Sequence, residues 1–581
     1  MTMWGKFELT NTPMTQSDTV LTLSVGPSQL LSAICDEIDF EKIINDQLVW
    51  DKDRCHLSPG TRLKALLINI LCDRQPLYHI HRFFEEQDVE MLFGKGVKAE
   101  DLNEYSIGRA LDALHQATPW KVYSTLSVSA CRKLGLPLRT LHNDTTSYSV
   151  FGDYETAEKA VESTQEELVI THGYSKQNRP DLKQIVLGIG VTPERIPVLA
   201  TVENGNMDDK SWNPAFIKKL RETLSKEEWD KLIYQADSAL ITTENLRAIR
   251  EELHFISRFP ETFKLSHDLK EKAWKNGKWQ ELGQLKLSKH AASYEIQSFV
   301  EKLDGYLYRF VVVYSDQLSE QKEKTLERNI AKEQTQLEKE MKKFESTVYH
   351  CQEDGEIAIK AFQKANQSTY FHYSFRLEPE GAIEKRKKRG RPKKGETTKI
   401  ITVYSPKLQQ LTKNEEAIEE KKRRMSTFIL ITNKVDQNEM PDREVLQTYK
   451  GQEAAETRFR LLKSPAMIDG FFLKKPSRIE ALGIVFVMAL LIYGILEHRI
   501  REKMKHEETP LILAGRRKLF RPTGQVVLKE LQEIKVIYIR QAEQVIRFLP
   551  DNIGDQTKRI LELAGYDMSI YVTKKVEKTV N

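Results

Sequence analysis

The chain has 581 residues, which is more than one hydrophobic core usually supports, so the sequence predicts three or four domains. Apolar residues make up 40% of it, and 89 basic residues nearly balance 84 acidic ones, for a net charge of +5. This composition is typical of a globular protein and excludes a polycation, so any nucleic-acid surface must come from local clustering of charge.

Three further features limit the class of protein. The five cysteines are scattered and include no CxxC pair, which argues for a reducing compartment and against zinc sites or a disulfide framework. The N-terminus lacks a basic region followed by an apolar run, so no signal peptide is predicted. The longest apolar run, 481–496, is too short for a confident membrane span and is interpreted as a buried helix.

In chain order, residues 1 to about 25 are polar and predicted to be irregular. Residues 27–134 repeat apolar side chains at three and four spacing, which predicts a compact helical domain. A helix that opens at Ser106 is compatible with a helix-turn-helix, and the sequence leaves DNA binding and a scaffolding role equally open here.

The period changes at Leu138, and the next 126 or so residues alternate between strands and helices. Strands are predicted at 138–152, 184–192, 196–205, 233–240 and 254–259. One amphipathic helix is predicted over 213–232 and another over 242–253, with Thr243 as its N-cap. Three strands, helix, strand, helix, strand is the element order of a ribonuclease-H-like fold, with a mixed sheet and helices on its faces.

Residues 264–439 interrupt this order and are interpreted as a β-rich insertion. A hairpin is predicted over 294–316, charged helices over 320–349 and 407–425, and further strands over 368–377, 398–405 and 426–434. Eight of the ten residues in 385–394 are basic, which favours contact with phosphates. The centre of this block resembles the AT-hook core, whose arginines enter the minor groove; the alternative is a flexible basic loop without groove preference. The candidate DNA contacts in this block are Arg389, Arg391, Lys393 and Lys394.

The remaining predictions depend on the stretch 449–463. Tyr449, Glu456 and Lys463 are seven residues apart, so one continuous helix would present a hydroxyl, a carboxylate and an ammonium on one stripe. Gln452 joins that stripe. Taken alone, a glutamate flanked by basic residues is more often a solvated ion-pair face.

Two strand-borne aspartates change that balance. Asp144 lies within the first predicted sheet strand and Asp237 at the end of the fourth, and Glu456 follows after the insertion. Such a trio of carboxylates suits the cleavage or transfer of phosphodiesters, because shared carboxylates can hold two divalent ions about 3.5–4 Å apart. Mg²⁺ prefers hard oxygen ligands of this kind.

With these motifs in order, the chain from about Pro27 onward resembles the DDE transposases of bacterial insertion sequences. Within them it is most similar to the group with a Tyr-(2)-Arg-(3)-Glu-(6)-Lys signature. Tyr449, Glu456 and Lys463 match three of its positions, and Gln452 stands at the arginine position. The segments around Asp144 and Asp237 resemble the first and second aspartate motifs of the family. The segments 172–184 and 203–209 resemble family segments that lie between those motifs.

The resemblance implies Asp144, Asp237 and Glu456 as catalytic metal ligands, with Mg²⁺ or Mn²⁺ as cofactor. It implies DNA-backbone contacts near the site, and the candidates on this stretch are Tyr449, Gln452, Arg460 and Lys463. The implied fold is mixed α+β, with a ribonuclease-H-like core and the β-rich insertion. The predicted domains are 1–135 (helical, binding DNA ends), 136–263 and 440–505 (catalytic core), 264–439 (insertion) and 506–581 (small, mostly helical).

The implied reaction is cleavage and joining of double-stranded DNA at terminal inverted repeats and target sites. The expected protein is a homodimer or higher multimer on DNA, cytoplasmic and nucleoid-associated, without membrane contact. His172, Lys176 and Arg179 are candidate DNA contacts, with structural capping as an equal alternative. The carboxylates that fall outside the motif positions are Asp153, Asp208, Asp209 and Glu453.

Two other functions remain compatible with the sequence. One is a catalytically inactive DNA-binding protein derived from a transposase, and the other is a ribonuclease-H-like nuclease that cuts without joining. The intact trio favours catalysis over the first alternative. A strand-transfer assay with pre-cut ends separates a transposase from the second.

Overall fold

The computed structural model describes residues 19–152, 154, 167–285, 291–317, 320–383, 400–464, 467, 473–513, 515–541 and 544–573. The fold is mixed α+β, as the sequence predicts. Its α-helices are α1 (Ser28–Glu37), α2 (Phe40–Gln47), α3 (Pro59–Cys72), α4 (Ile80–Glu85), α5 (Val89–Phe93), α6 (Glu104–Gln116), α7 (Pro119–Lys133), α8 (Asp209–Thr223), α9 (Lys226–Lys231), α10 (Thr243–Ile249), α11 (Lys264–Asn276), α12 (Glu320–Glu345), α13 (Gln352–Ala365), α14 (Glu415–Met425), α15 (Asp442–Lys450), α16 (Glu453–Leu462), α17 (Pro476–Met504), α18 (Gly524–Leu531) and α19 (Asp555–Ala564).

The strands are β1 (Thr19–Leu23), β2 (Thr140–Ser149), β3 (Gln184–Val191), β4 (Pro197–Glu203), β5 (Ile233–Ala236), β6 (His254–Arg258), β7 (Gln280–Gln284), β8 (Ser293–Leu303), β9 (Tyr306–Ser315), β10 (Phe371–Ile383), β11 (Ile400–Lys413), β12 (Thr427–Thr432), β13 (Leu511–Leu513), β14 (Arg517–Leu519), β15 (Val536–Gln541) and β16 (Gln544–Phe548).

The chain divides into two compact units. The first contains Met1–Ser257, Thr432–Lys434 and Leu446–Asn581, and the second contains Arg258–Ile431 and Val435–Val445. The second unit carries the strand order β12-β9-β8-β7 and the separate hairpin of β10 and β11. The predicted domain boundaries remain predictions.

The sheet strands of the first unit run in the order β4-β3-β2-β5-β6. β2 pairs antiparallel with β3, which pairs antiparallel with β4, whereas β2 and β5 are parallel, as are β5 and β6. Every residue of β3 is buried, as expected for a strand covered on both faces. This order brings β2 and β5, the strands with the two predicted aspartates, next to each other.

The long helix α17 forms the centre of the first unit's core. It packs against α3, α6, α7 and β4, and its mid-section is apolar all round, which is typical of a helix buried on every side. By length and composition α17 could cross a membrane, but 94% of its most apolar 18-residue window is buried within the protein. The helix therefore has the burial of a core helix, in agreement with the interpretation from sequence and consistent with a soluble protein.

Several local predictions are confirmed. Residues 27–134 contain helices α1 to α7, β3 and β4 form the predicted hairpin, and β8 and β9 form the second. The predicted irregular start is wrong for residues 19–23, because β1 pairs with β15 near the other end of the chain. The C-terminal region also contains more strand than predicted, since β13 to β16 accompany its two helices.

The helix predicted over 213–232 is two helices. α8 ends at Thr223, and Ser225 starts α9 with a capping box to Glu228. The N-cap of α10 is Thr242 rather than Thr243, because the Thr242 side chain accepts the Asn245 N–H.

The charged helix predicted over 407–425 begins later. Residues 407–413 belong to β11 and pair with β10, and α14 starts at Glu415 with Asn414 as its N-cap. Charged residues suit the exposed surfaces of both helices and strands, so the pairing partner decides the structure here.

Candidate functional site

Asp144 and Asp237 lie on neighbouring parallel strands of the first unit. Asp144 is inside β2, and Asp237 directly follows β5. The Thr145 N–H donates to Asp144 Oδ1 at 2.8 Å, and the Ala239 N–H donates to Asp237 Oδ1 at 3.0 Å. Backbone amides therefore hold one carboxylate inside β2 and the other directly after the neighbouring β5.

The two aspartates share one electrostatic environment. Burial raises the pKa of Asp144 from 3.8 to about 6; Lys176 and the Thr145 N–H oppose this rise, and the charges of Asp237 and Asp209 add to it. Burial also raises the pKa of Asp237; the Ala239 N–H opposes the rise and Asp209 adds to it. Perturbed carboxylates that face each other are typical of functional sites, although structural networks produce them as well.

Asp209 and Lys176 complete this acidic cluster, defined as Asp144, Asp209, Asp237 and Lys176. Asp209 begins α8, and Lys176 comes from the segment that precedes β3. The Lys176 ammonium lies 3.2 Å from Asp209 Oδ2 and 3.9 Å from Asp144 Oδ1. It also donates to the carbonyl and the hydroxyl of Thr145, both at 3.0 Å. The Thr145 hydroxyl in turn donates to Asp209.

The stretch 449–463 is not one helix, contrary to the prediction from its spacing. α15 ends at Lys450 and α16 begins at Glu453, so Tyr449 and Glu456 lie on different helices. Gly451 stands at the break, and a Cβ there would lie 2.6 Å from Cε1 of His142 on β2. This close approach to the sheet leaves no room for a side chain at residue 451.

The N-terminal end of α16 contacts the strands that carry the aspartates. The Gln235 side-chain amide, on β5, donates to Oε1 of Gln452 at 3.2 Å, and Oε1 of Gln235 lies 2.8 Å from Nδ1 of His142. Gln452, the predicted DNA contact at the arginine position, therefore has a protein partner on the sheet.

The C-terminal end of α16 lies near Asp144. Lys463 caps the helix, and its ammonium lies 5.9 Å from the centre of the Tyr148 ring on β2. Burial lowers the pKa of Lys463, the charge of Lys176 lowers it further, and the charge of Asp144 opposes this. The charge of Lys463 therefore interacts with the charge of Asp144 in the acidic cluster.

Glu456 lies between these two contacts on α16 and is exposed. Gln452, Glu456 and Lys463 follow i, i+4, i+11 spacing and so share one helix face. Among the described residues, no hydrogen bond or ion pair joins the Glu456 carboxylate to another side chain. The structure thus brings Asp144 and Asp237 together and leaves Glu456 without a direct contact to them.

The opposite face of α16 is held by a buried charge network, defined as Arg458, Glu497 and Arg501. Arg458 lies 3.0 Å from Glu497 on α17, with side chains 1% and 4% exposed. Arg501 pairs with the same glutamate at 2.9 Å, and Arg458 donates to the Arg195 carbonyl at 2.7 Å. This network fixes α16 against α17.

The other predicted residues have varied surroundings. Tyr449 is half-buried, Arg460 is exposed, and Arg179 is paired with Asp181 at 2.8 Å. Arg389, Arg391, Lys393, Lys394 and the rival carboxylate Asp153 lie outside the described residues.

No group of three or more His, Cys, Asp or Glu side chains is close enough to hold a metal ion within the part of the chain that the structure describes. The donor chemistry of the acidic cluster nevertheless fits a hard cation, because carboxylate, hydroxyl and carbonyl oxygens surround a positive charge, the Lys176 ammonium. These residues are compatible with a divalent ion if the Lys176 ammonium moves out of the cluster.

In the sequence, Asp209 falls outside the motif positions, and Lys176 is compatible with either DNA contact or structural capping. Both residues lie outside regular strands, so no periodicity indicates that they approach Asp144. The available signal is the acidic pair Asp208-Asp209 at the end of the segment 203–209, a few residues before the helix predicted over 213–232. Asp208 is the N-cap of α8, and Asp209 is thereby turned toward Thr145.

Comparison with known proteins gives little that bears on function. Residues 22–128 match the model of a family described only as a domain of unknown function, DUF4277. The match begins in β1 and ends within α7, which is less than half of the chain. No curated protein matches the chain.

Proposed function

We propose that the protein is a DDE-type DNA transposase, with Asp144, Asp237 and Glu456 as its catalytic carboxylates. The observation that carries this proposal is the meeting of Asp144 and Asp237 at neighbouring parallel strands, where burial raises the pKa of both and Asp237 raises that of Asp144. A site that concentrates negative charge in this way suits the binding of divalent cations.

The topology of the first unit supports a ribonuclease-H-like core. Its strand order of 3-2-1-4-5, with the first three strands antiparallel and the last two parallel to the first, agrees with that proposal. In chain order, the first of these strands, β2, contains Asp144, and Asp237 directly follows the fourth, β5. The mixed α+β class of the fold does not depend on the ribonuclease-H-like assignment.

The arrangement of α16 supports the role of Glu456. Gln452 is bonded to Gln235, and Lys463 is within electrostatic reach of Asp144, so both ends of the helix lie at the strands of the site. Glu456 shares their helix face and is free of competing ion pairs among the described residues. Its carboxylate is therefore available to an incoming cation.

Asp144, Asp237 and Glu456 would hold Mg²⁺ or Mn²⁺, which when bound would polarise the scissile phosphate and stabilise the attacking and leaving oxygens. The protein's own groups would position the DNA. Lys463 would offer a point charge to the phosphate backbone, and Tyr449 a hydrogen-bond donor. Arg460, Arg389, Arg391, Lys393 and Lys394 are proposed further contacts to the DNA backbone.

The proposed partners are terminal inverted repeats and target DNA, bound by a dimer or higher multimer in the bacterial cytoplasm. The test uses Asp237→Asn, which keeps the side-chain shape and removes the charge that would hold metal. Asp208→Asn is the matched control, because it makes the same change of charge on the same unit at an N-cap, where asparagine is also a preferred residue. The assay is Mg²⁺-dependent nicking of a labelled repeat-end duplex, beside a gel-shift binding measurement.

We expect Asp237→Asn to bind the duplex and to lose nicking and strand transfer by more than about a hundredfold. Asp208→Asn should nick like the wild type. Nicking by Asp237→Asn at the wild-type rate would reject the mechanism. Nicking by the wild type without joining of pre-cut ends would instead identify a nuclease.

A further inference from the structure

Lys176 lies where a cation bound by Asp144 and Asp209 would lie. Four oxygens surround its ammonium: the carbonyl and hydroxyl of Thr145 at 3.0 Å, Asp209 Oδ2 at 3.2 Å and Asp144 Oδ1 at 3.9 Å. Such an oxygen-only shell, with two carboxylates in it, is the donor set that a hard metal ion prefers.

The backbone of this segment is anchored independently of the ammonium. The Lys176 N–H donates to Oγ of Ser147 at 2.7 Å, and the Ser149 N–H donates to Oε1 of Gln177 at 2.8 Å. Both bonds tie the segment to β2, so the four-carbon side chain can swing away while its backbone stays in place. At 32% exposure the side chain has a route to solvent.

Lys176 is the cation that the acidic cluster holds in this structure. Like charges on Asp144, Asp209 and Asp237 repel one another, and the Lys176 ammonium pairs with Asp209 at 3.2 Å and lies 3.9 Å from Asp144. Removing this positive charge leaves Asp144 and Asp209 without their paired ammonium until a metal ion arrives.

We infer that Lys176 is a built-in placeholder cation: it neutralises the acidic cluster before metal binds, and it must be displaced from Asp144 and Asp209 when a divalent ion enters. The inference rests on the proposed function and deepens it, because it makes Asp209 a metal-facing residue and makes Lys176 the group that sets the metal requirement. Binding of the metal ion and release of the Lys176 ammonium are then one exchange, so the acidic cluster holds a positive charge throughout.

The first experiment titrates Mn²⁺ into full-length wild-type protein and into Lys176→Gln and Lys176→Arg, by calorimetry in the absence of DNA. Lys176→Gln lacks the competitor and should bind Mn²⁺ at least about fivefold more tightly than the wild type, whereas Lys176→Arg, which keeps the charge, should not. Equal or weaker binding by Lys176→Gln would overturn the inference.

The second experiment needs no variant and decides the matter if Lys176→Gln does not fold. Acetylation of wild-type lysines with an amine-reactive ester is followed by mass spectrometry, with and without saturating Mn²⁺. Lys219 is the matched control, because its ammonium pairs with Glu203 at 3.1 Å and its side chain is 24% exposed. Acetylation of Lys176 should rise at least about threefold with Mn²⁺ while that of Lys219 stays constant, as expected when a hydrogen-bonded ammonium is released to solvent.

Unchanged acetylation of Lys176 under saturating Mn²⁺ would overturn the inference while leaving the metal site in place. A wild-type protein that binds no Mn²⁺ in the calorimeter would overturn both the inference and the proposed function. The two failures are therefore distinguishable.

Discussion

Helix α16 has a charge cluster on each side, and the two are built differently. On one face, Gln452 and Lys463 lie against the strands of the acidic cluster, whose Asp144, Asp209 and Lys176 side chains are between 23% and 32% exposed. On the other face, Arg458 and Glu497 are 1% and 4% exposed. The acidic cluster combines three carboxylates with one directly paired ammonium, whereas the buried network surrounds one carboxylate with two guanidinium groups.

This difference separates a structural role from a functional one. The buried network pairs its charges within the protein, although burial still lowers the pKa of Arg458 and so disfavours its charged form. The acidic cluster keeps a surplus of negative charge at partial exposure, which should cost stability and suits the metal-binding role proposed for it. Substitutions on the two faces of α16 should therefore change stability in opposite directions.

The largest stability effect is expected on the buried face. Arg458→Met leaves Glu497 buried with Arg501 as its remaining partner, and should lower the free energy of unfolding of the first unit by about 3–5 kcal/mol. Arg460→Met is the matched control two residues along the same helix, where an exposed charge contributes less than about 0.5 kcal/mol. Scanning calorimetry measures the unfolding midpoints of the two variants. Equal midpoints would show that the buried network does not stabilise the first unit.

A smaller effect of opposite sign is expected in the acidic cluster. Because the pKa of Asp144 is raised to about 6, the folded protein binds its proton at pH values where the unfolded chain, with a pKa near 3.8, has lost it. Stability therefore falls as pH rises from about 4 to about 6, and the full penalty of about 2–3 kcal/mol applies above that window.

Asp144→Asn removes this penalty, so in metal-free buffer it should raise the unfolding midpoint by several degrees at pH 7.5 and leave it unchanged near pH 4. Asp208→Asn should behave oppositely, because hydrogen bonds from Ser211 and Lys210 lower the pKa of Asp208 and so stabilise its charged form. A destabilised Asp144→Asn at pH 7.5 would mean that this cluster is a structural network like the one on the other face.

The fold was predictable where structure depends on local periodicity. The helices of residues 27–134, the β3–β4 hairpin and α17 follow from apolar spacing alone. The strand β1 could not be predicted in this way, because its partner β15 begins at Val536, more than 500 residues later. The strand identity of 407–413 depends in the same way on pairing with β10.

The site was predictable in part for a related reason. Asp144 and Asp237 lie on strands, and strand order brings them together. The break between α15 and α16 depends on the approach of Gly451 to His142, which the seven-residue spacing of Tyr449, Glu456 and Lys463 does not reveal. Lys176 and Asp209 reach the site from a loop and from a helix start, whose positions depend on tertiary hydrogen bonds.

The proposed mechanism requires Glu456 and the two aspartates to act as one catalytic site, and it depends most on Glu456. Glu456→Gln and Glu453→Gln make a matched pair, since both residues are exposed and lie three positions apart on α16. The direct measurement is single-turnover nicking of a repeat-end duplex in Mg²⁺, with duplex binding measured in parallel. Glu456→Gln should bind DNA and nick at least about a hundredfold more slowly than the wild type, while Glu453→Gln stays within about twofold of it. Nicking by Glu456→Gln at the same rate as Glu453→Gln would contradict the account.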